Sequence, residues 1–374
     1  MSLAVTEHRI PMPHLLRDGP IVFVAGPALG HVGRMAVIAR RLRIRTDRPI
    51  VFVTPGNARY ADSVLNDAFH LVRIPIPDES HKRPAEAFAD GLEAVLTELK
   101  PRVLVCDLCP LRWLSAVRFP DCPRVMITNF FLAGLLPVET HQSRWLRDED
   151  EYFTALRKRR SLQPFGSLRD LYSAEKVLLA DPPPLLEALG SLPSGYVPTG
   201  HCSFHTGGTL PEPLERMSDL LLLSMGSTGA LTMDGALTKR IAAWSQSSSI
   251  VYAGSRADEM RAAGVAEECY DWLPLDPVLE RTRVTVTHGG AGSTYMALSH
   301  GVPVVVNPTL RNHRVLGECI EAAGIGLCIG APSHLKKFDT VGFAGILERT
   351  RRFSEQASGL DGADIGAREI EDLA

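Results

Sequence analysis

Short apolar runs, most of them β-branched, alternate with longer segments of mixed character along most of the chain. In the first half these runs occupy residues 21–25, 49–55, 70–76, 103–107, 124–130 and 176–181. They lack polar alternation, which is typical of a parallel sheet that is buried on both faces. The mixed segments between them, such as 31–45 and 84–100, have the length of connecting helices. The pattern therefore predicts right-handed βαβ units.

A second series with the same rhythm follows a stretch rich in proline and glycine. Residues 181–219 contain DPPP, LPSGYVPTGH and HTGGTLPEP without periodicity, so we interpret them as a linker. Apolar runs then return at residues 220–226, 249–254, 268–274, 284–288, 302–308 and 325–330. We expect two facing Rossmann-like doubly wound α/β domains, 1–205 and 206–374, whose last helices can pack back on the first domain. Ligands of such sheets bind beyond the carboxyl ends of the strands, which here indicates an interdomain cleft.

Composition excludes several classes of protein. The 374 residues are 45% hydrophobic and 22% charged, which is typical of a folded globular chain. A net charge of −3 gives no electrostatic reason to expect nucleic acid as a partner. Seven dispersed cysteines are not a disulfide framework and favour a reducing cytoplasm. The first residues do not resemble a signal peptide, and no apolar run approaches the roughly 20 residues of a membrane span.

A glycine-rich turn follows one of the later runs. Residues 284–308 read VTVTHGGAGSTYMALSHGVPVVVNP, in which a buried strand ends at a histidine and a short helix follows the turn. Glycine lets the backbone approach a ligand closely, and the unpaired N–H groups of a helix start attract an anion. The turn is therefore predicted to hold a phosphate or a carboxylate. Its candidate members are His288, Gly290, Gly292, Ser293 and Thr294.

Three other chemistries fit the sequence poorly. The cluster AGPALGHVG at 25–33 lacks the G-x-G-x-x-G spacing, and the next strand ends in Thr54-Pro55-Gly56 rather than in the acidic residue of an NAD site. A P-loop would need a G-K-[ST] tripeptide, which does not occur. The HGG at 288–290 would suit an esterase only together with a G-x-S-x-G elbow, which is also missing.

The same turn resembles a known family. HGGAGSTYMALSHGVPVVVNP is similar to the donor-site signature of inverting glycosyltransferases with two facing Rossmann-like domains, the GT-B fold. The nearer likeness is to UDP-glycosyltransferases and antibiotic glycosyltransferases. AGPALGHVGRMAVIARRL, LLLLSMGST and YDWLPLDPVL agree with that group in order and spacing. The resemblance covers residues 20–330 and is more specific in the second domain.

The resemblance implies a nucleotide site in the second domain. Trp272 would stack on uracil or thymine, and the backbone of Leu273 would read the edge of the base. Gly226 and Ser227 would approach the diphosphate from a facing loop. Stacking tolerates any base, so the chemistry of Trp272 agrees with this assignment. The alternatives are that Trp272 belongs to the core and that the glycines only form tight turns.

The donor-sugar positions depart from the family pattern. Met296 stands where the family often has a ribose-binding glutamate, and Leu316 stands near an expected asparagine. Asn312 and His313 stand where the family often has Asp-Gln. Because both side chains can hydrogen-bond to hydroxyls, we expect them to contact the sugar, whose identity stays open.

Two residues are the candidates for catalysis. His31 begins the first long helix where the family has its base, and histidine can accept a proton near neutral pH. Asp107 ends the run VLVCD and is expected at the same edge of the sheet, where it would orient His31 as in a catalytic triad. The alternatives are that His31 caps its helix and that Asp107 caps the helix after Cys109.

Two further features concern the acceptor and the cysteines. Residues 130–160 are expected to build the acceptor pocket, and they end in the basic cluster Arg157–Arg160. That cluster is either a solvated helix face or a contact for an anionic acceptor or a lipid surface. Cys106 and Cys109 have C-x-x-C spacing without a second pair or a nearby histidine, so we interpret them as buried thiols.

These observations predict a metal-independent, inverting glycosyltransferase that needs no cofactor. The donor would be a UDP- or dTDP-sugar, and the acceptor a hydroxyl of a small molecule such as a secondary metabolite. Alternatives are transfer to a lipid-linked acceptor at the membrane, a sugar-nucleotide epimerase, and a non-catalytic sugar-nucleotide-binding helper. His31 and Asp107 argue against the helper. We expect a cytoplasmic monomer or homodimer, with contact to a membrane surface left open.

Overall fold

Two parallel β-sheets form the centre of the molecule. The computed structural model describes residues 19–58, 60–65, 68–75, 84–107, 114–136, 151–165, 168–205, 207–226, 233–330 and 332–374. The first sheet has the order β3-β2-β1-β4-β5-β6-β7. Its strands are β1 (Ile21–Val24), β2 (Ile50–Pro55), β3 (His70–Ile74), β4 (Val103–Asp107), β5 (Arg124–Thr128), β6 (Lys176–Leu179) and β7 (Tyr196–Pro198).

The second sheet repeats this arrangement with the order β10-β9-β8-β11-β12-β13. Its strands are β8 (Leu220–Ser224), β9 (Ser249–Ala253), β10 (Glu268–Tyr270), β11 (Thr282–Thr287), β12 (Val304–Val306) and β13 (Gly326–Cys328). All strand pairs in both sheets are parallel. This is the predicted architecture of two doubly wound α/β domains.

Helices connect the strands. They are α1 (Leu29–Arg43), α2 (Ala61–Leu65), α3 (Pro84–Leu99), α4 (Pro183–Glu187), α5 (Glu212–Glu215), α6 (Gly235–Ser245), α7 (Ala257–Ala262), α8 (Leu275–Leu279), α9 (Ala291–Ser299), α10 (Arg311–Ala322), α11 (Lys337–Thr340), α12 (Phe343–Ala357) and α13 (Gly362–Glu371). Residues 151–159 are also helical. Short 3₁₀ helices occur at Leu168–Tyr172 and Pro332–Lys336. Within the described ranges, none of the helices is long and apolar enough to cross a membrane.

The first strand shows why the apolar runs lack alternation. Ile21 and Phe23 face one side of the sheet, where they join the core cluster that includes Met35 of α1. Val22 and Val24 face the other side and join the cluster that includes Phe88 of α3. Because both faces of the strand are covered, every position along it is apolar.

The strand order creates one crevice in each sheet where a ligand can bind. β1 pairs with β4 in the first sheet, and β8 pairs with β11 in the second. At each of these places the connections leave to opposite sides of the sheet, which opens a crevice beyond the carboxyl ends of the strands. The predicted catalytic residues follow β1 and end β4, and the predicted phosphate turn follows β11.

Two segments differ from the sequence-based expectation. Tyr196–Pro198 is the edge strand β7, although residues 181–219 were interpreted as a linker that lacks periodicity, and short helices occur there too. Proline, here Pro198, suits an edge strand, which needs fewer N–H donors than an inner one. In the predicted run 268–274, only Glu268–Tyr270 is a strand.

The last helix of the chain lies against the first domain. Ala367 and Ile370 of α13 are fully buried in the core cluster that contains Ile38 of α1. At the surface, Nη2 of Arg45 lies 2.7 Å from Oδ1 of Asp364 and adds an ion pair between α13 and the first domain. The chain therefore crosses back after completing the second domain.

Candidate active site

His31 and Asp107 meet at the edge of the first sheet. His31 is the third residue of α1, and its Nδ1 atom lies 2.7 Å from Oδ1 of Asp107. The N-cap of α1 is Ala28, whose side chain makes no capping hydrogen bond. The alternative that His31 caps its helix is therefore wrong. The imidazole is partly exposed, at 25%, whereas Asp107 is completely buried.

Arg34 holds the carboxylate of Asp107 from the other side. Its Nε donates to Oδ2 at 2.5 Å, and its Nη2 donates to Oδ1 at 2.6 Å. Burial alone would raise the pKa of Asp107, but the charges of Arg34 and His31 and their hydrogen bonds outweigh it and hold the pKa well below its usual range. Asp107 is thus an ionised group with a fixed orientation.

The polar contacts continue from Arg34 into the second domain. Nη1 of Arg34 donates to Oδ1 of Asn129 at 2.9 Å, and Nδ2 of Asn129 donates to Oδ1 of Asp181 at 2.8 Å. The hydroxyl of Tyr295 in α9 donates to the same Asp181 oxygen at 2.7 Å. We refer to Arg34, Asn129, Asp181 and Tyr295 as the polar chain. Burial raises the pKa of Asp181 to about 6, although these hydrogen bonds and one from the Phe130 N–H oppose the shift.

The second domain presents the glycine-rich turn between β11 and α9. Gly289 has φ +93°, and a Cβ built there would lie 2.8 Å from Cβ of His313 and 2.9 Å from its carbonyl oxygen. Only glycine fits this position, because a side chain would be strained and would also meet the backbone of α10. Gly290 is the N-cap of α9 and has no side chain to satisfy the first N–H groups of the helix.

The ring of His288 lies beneath this turn. A Cβ on Gly226, at φ +67°, would collide with the ring, and one on Gly290 would come within 2.7 Å of Nε2. Nδ1 is buried and has no hydrogen-bond partner within the described part of the chain. Burial lowers the pKa of His288, so the ring is neutral near pH 7 and would act as a hydrogen-bond donor rather than as a cation.

The remaining members of the turn face different directions. Gly292 is exposed and Ser293 is half-buried, both in the first turn of α9. Thr294 is fully buried, and its hydroxyl lies 3.0 Å from the hydroxyl of Thr287. Thr287 also accepts a hydrogen bond from the N–H of Gly289 at 3.1 Å. The side chain of Thr294 therefore braces the turn against β11. The predicted partner Ser227 lies outside the described residues.

Trp272 and Leu273 follow β10 at the same end of the second sheet. Trp272 is 48% exposed, so the alternative that it belongs to the core is wrong. Leu273 is buried at 3% exposure and anchors the segment in the core. An exposed indole beside a buried neighbour is suited to stacking on a ligand.

The two predicted sugar contacts are placed differently from one another. Asn312 is half-buried in the first turn of α10. His313 is buried, and its ring packs edge-to-face on the ring of His288 with centroids 4.7 Å apart. Nδ1 of His313 lies 3.0 Å from the hydroxyl of Thr309, and burial lowers its pKa to about 3. His313 thus supports His288 from below the turn.

The chain is similar to known glycosyltransferases. Residues 251–348, which include Trp272 and the turn, match the family described as erythromycin biosynthesis protein CIII-like, C-terminal domain. The chain is 29% identical to the elloramycin glycosyltransferase ElmGT of Streptomyces olivaceus, over 93% of this chain and 96% of that protein. The chain is a glycosyltransferase with the GT-B fold, and it is similar to enzymes of the natural-product type.

Solved structures share the fold of this glycosyltransferase. The calicheamicin glycosyltransferase CalG4 has a TM-score of 0.69 at 18% identity, covering 95% of this chain and 98% of that chain. The spinosyn rhamnosyltransferase SpnG, complexed with thymidine diphosphate, has a TM-score of 0.65 at 18% identity, covering 94% and 100%. The fold prediction from the sequence is therefore confirmed.

The basic cluster of this glycosyltransferase is largely committed to internal contacts. Arg159 pairs with Glu86 at 2.8 Å, and Arg160 pairs with Glu93 at 2.7 Å. Arg157 lies over the ring of Phe165, 4.0 Å from its centroid. These contacts favour the interpretation as a helix face that packs on α3. Residues 137–150 of the predicted acceptor region lie outside the described residues.

Of the two cysteines with C-x-x-C spacing, the structure describes Cys106. Cys106 is a buried free thiol whose pKa is raised to about 12 by burial, as the thiol interpretation predicts. Cys109, and with it the helix that Asp107 was thought to cap, lies outside the described residues. Both oxygens of Asp107 are in any case engaged by His31 and Arg34.

Sequence reasoning missed the polar chain of this glycosyltransferase. A signal was present, because the runs VLVCD, RVMITN and KVLLAD each end in a polar residue that can hydrogen-bond at the sheet edge. Arg34 lies one helical turn after His31, so both side chains project from the same face of α1. Tyr295 gave no such signal, since an aromatic residue in an apolar helix usually belongs to the core.

Proposed function

We propose that this glycosyltransferase transfers a sugar, with inversion, from a UDP- or dTDP-activated donor to a hydroxyl of a small-molecule acceptor. The observation that carries the proposal is the pairing of His31 with the buried, ionised Asp107 at the crevice of the first sheet. A phosphate-type turn stands at the corresponding crevice of the second sheet. These two crevices provide a base and a leaving-group site.

The first domain supplies the base. Nδ1 of His31 faces Asp107, so Nε2 is the ring nitrogen that would take the acceptor's proton. The acceptor oxygen then bonds to the anomeric carbon from one side while the bond to the diphosphate oxygen breaks on the other. Such a single displacement inverts the anomeric centre. Asp107 would stabilise the imidazolium that forms, because its negative charge is held beside the ring.

The second domain supplies the donor site. The first N–H groups of α9, the Ser293 hydroxyl and His288 would donate to the diphosphate, since helix starts favour anions. Trp272 would stack on the base, and Asn312 would reach the sugar. SpnG, of the same fold, is described in complex with thymidine diphosphate and with spinosyn aglycone, which supports a pyrimidine nucleotide and a small-molecule acceptor.

The setting of the reaction is part of the proposal. The described cysteines are free thiols, which suits a reducing compartment such as the cytoplasm. We expect a monomer or a homodimer, and light scattering of the protein in solution distinguishes the two.

A thermal-shift panel tests the proposed donor. A ligand present at 100 times its Kd adds roughly 2.7 kcal/mol to the free energy of unfolding. We expect UDP or dTDP, and the matching sugar nucleotides, to raise Tm clearly above the values with ADP and GDP. Equal stabilisation by purine diphosphates, or none by any nucleotide, would contradict the donor assignment. Product formed from the donor alone would indicate an epimerase.

Trp272→Ala is expected to weaken nucleotide binding without unfolding the protein. Loss of one base-stacking contact costs about 1–3 kcal/mol, which raises Kd roughly five- to 150-fold. Calorimetric titration with UDP and dTDP measures the change. Tyr152→Ala, which removes another exposed aromatic ring from the first domain, is the matched control and should keep the parental Kd. An unchanged Kd in Trp272→Ala would disprove base stacking.

Activity is expected to persist in EDTA. The N–H groups at the start of α9, Ser293 and His288 would together offset the charge of the departing diphosphate through hydrogen bonds. Initial rates with and without the chelator, at constant ionic strength, provide the measurement. Loss of activity in EDTA and its recovery with magnesium or manganese would show that these donors are insufficient.

A further inference from the structure

The polar chain connects the proposed base with the helix that begins at the phosphate turn. We propose that Arg34 is a positioning residue for His31 and Asp107, and that the polar chain makes their alignment depend on how α9 is seated. This inference rests on the proposed function, and it assigns a role to residues that belong neither to the proposed base nor to the proposed donor site. In that scheme the members of the polar chain touch neither the nucleotide nor the acceptor.

Arg34 makes contacts that only a guanidinium can make together. It is 8% exposed and donates to both oxygens of Asp107 and, in a third direction, to Asn129. A guanidinium carries five N–H donors in a planar fork, whereas a lysine ammonium is a point charge. The carboxylate that faces His31 is therefore held in one orientation by Arg34.

The charges of Arg34, Asp107 and Asp181 favour protonation of the proposed base, His31. Arg34 is the cation between two buried carboxylates, Asp107 and Asp181. When both carboxylates are ionised, the group carries one excess negative charge while the ring of His31 is neutral. Uptake of the acceptor's proton by the ring balances that charge in a low-dielectric environment, where the effect is strong.

Tyr295 brings the donor helix into this arrangement. It lies in α9, three residues after Gly292, and its buried hydroxyl donates to Asp181 across the domain boundary. A helix moves as a rigid unit over one turn, so a diphosphate bound at the start of α9 also sets the position of Tyr295. Asp181 and Asn129 then transmit that position to Arg34.

Arg34→Lys tests the positioning role directly. We expect kcat to fall roughly 10–100-fold, because a misplacement of about 1 Å costs this much. The Kd for UDP or dTDP should change less than about twofold, since the donor lies on the other domain. A variant that melts at a lower temperature but keeps the parental kcat per folded molecule would overturn the proposal, because that is the behaviour of a purely structural arginine.

Tyr295→Phe tests the link to α9 with a smaller change. It removes one hydroxyl and keeps the ring, so it should fold even if Arg34→Lys does not. We expect kcat to fall roughly 2- to 10-fold, as for one modest hydrogen bond. Tyr172→Phe is the matched control, because Tyr172 is equally buried and its hydroxyl donates to the Leu132 carbonyl at 2.9 Å, outside the polar chain. It should keep the parental kcat.

A double-mutant comparison shows whether Tyr295 acts through the base. In a His31→Ala background, Tyr295→Phe should change the residual rate by less than about twofold, because the group it positions is gone. An equal loss of rate in the presence and absence of His31 would overturn the proposal. So would an unchanged kcat in Tyr295→Phe.

A readout without activity separates this inference from the proposed function. Nitrogen resonances of the His31 ring, in protein labelled with ¹⁵N-histidine, are compared among parent, Tyr295→Phe and Tyr172→Phe. A change in the His31 nitrogen resonances in Tyr295→Phe alone would establish the connection between Tyr295 and His31, even if no sugar were transferred. Unchanged His31 resonances in an active Tyr295→Phe enzyme would reject the connection while leaving the transferase assignment intact.

Discussion

Replacing His31 by alanine is expected to lower the turnover number by roughly 10²–10⁴-fold, the contribution that a general base makes. The ring is held 2.7 Å from a buried carboxylate, and it stands at the crevice of the first sheet, where an acceptor would bind. Nucleotide affinity should stay close to the parental value, because the proposed donor site belongs to the second domain. Steady-state kinetics and calorimetric titration of the same preparation measure the two effects.

The controls for this experiment come from the same chain. His205→Ala removes a histidine whose Nδ1 also lies 2.8 Å from an aspartate, Asp276, but at the domain boundary. It should keep the parental turnover. If His31→Ala keeps near-parental turnover and only melts at a lower temperature, the base must be sought elsewhere in the cleft or on the acceptor.

Asp107→Asn should lower turnover less than His31→Ala, since the imidazole remains but is poorly oriented. It also breaks the buried ion pair between Arg34 and Asp107, which is destabilising. Rates must therefore be expressed per folded molecule. In His31→Ala the acid limb of the pH–rate profile should disappear, because protonation of that ring no longer removes the base.

Gly289→Ala is expected to disrupt the glycine-rich turn and to weaken nucleotide binding tenfold or more. A left-handed backbone costs a residue with a Cβ about 1–2 kcal/mol. The added atom would also lie 2.8–3.0 Å from Cβ, Cα and the carbonyl of His313, and overpacking typically costs another 1–3 kcal/mol. Because His313 belongs to the first turn of α10, relief of the contact must displace that helix or the turn. Nucleotide titration and Tm measure both consequences.

Gly264→Ala separates the two costs of this substitution. Gly264 has φ +62° in the same domain, and a Cβ there would meet no atom within 4 Å. It should therefore show only the backbone strain, with nucleotide affinity unchanged. Equal effects of the two variants on Tm and on Kd would show that the contact between the turn and α10 has no special importance.

Much of the fold could be predicted from local pattern. The run 21–25 is apolar at every position because both faces of β1 are covered, and this condition is visible in the sequence itself. The glycine-rich turn was also visible in the sequence, because its glycines stand between an apolar run and a short helix. In the structure, side chains at Gly289 and Gly290 would collide with histidine rings or backbone. The edge strand β7 was not visible, because three residues among prolines carry no periodicity.

The sequence also placed His31 and Asp107 at one sheet edge, since both adjoin the carboxyl ends of buried strands. It did not reveal which partners these residues take. Arg34 had no assigned role, although it makes more contacts to Asp107 than His31 does. Thr294 and His313 were expected to face the ligand, but the structure turns both side chains toward the interior.

The sequence by itself determined the two sheets, the connecting helices and the residues that adjoin each crevice, because burial on both faces and helix-start chemistry act within a few residues. Only the tertiary structure decided the direction of each polar side chain and the bond between Asp181 and Tyr295, 114 residues apart in the chain. That bond depends on the rotation of α9 about its axis and on the docking of one domain against the other. Both are set by packing over the whole interface, which no local pattern records.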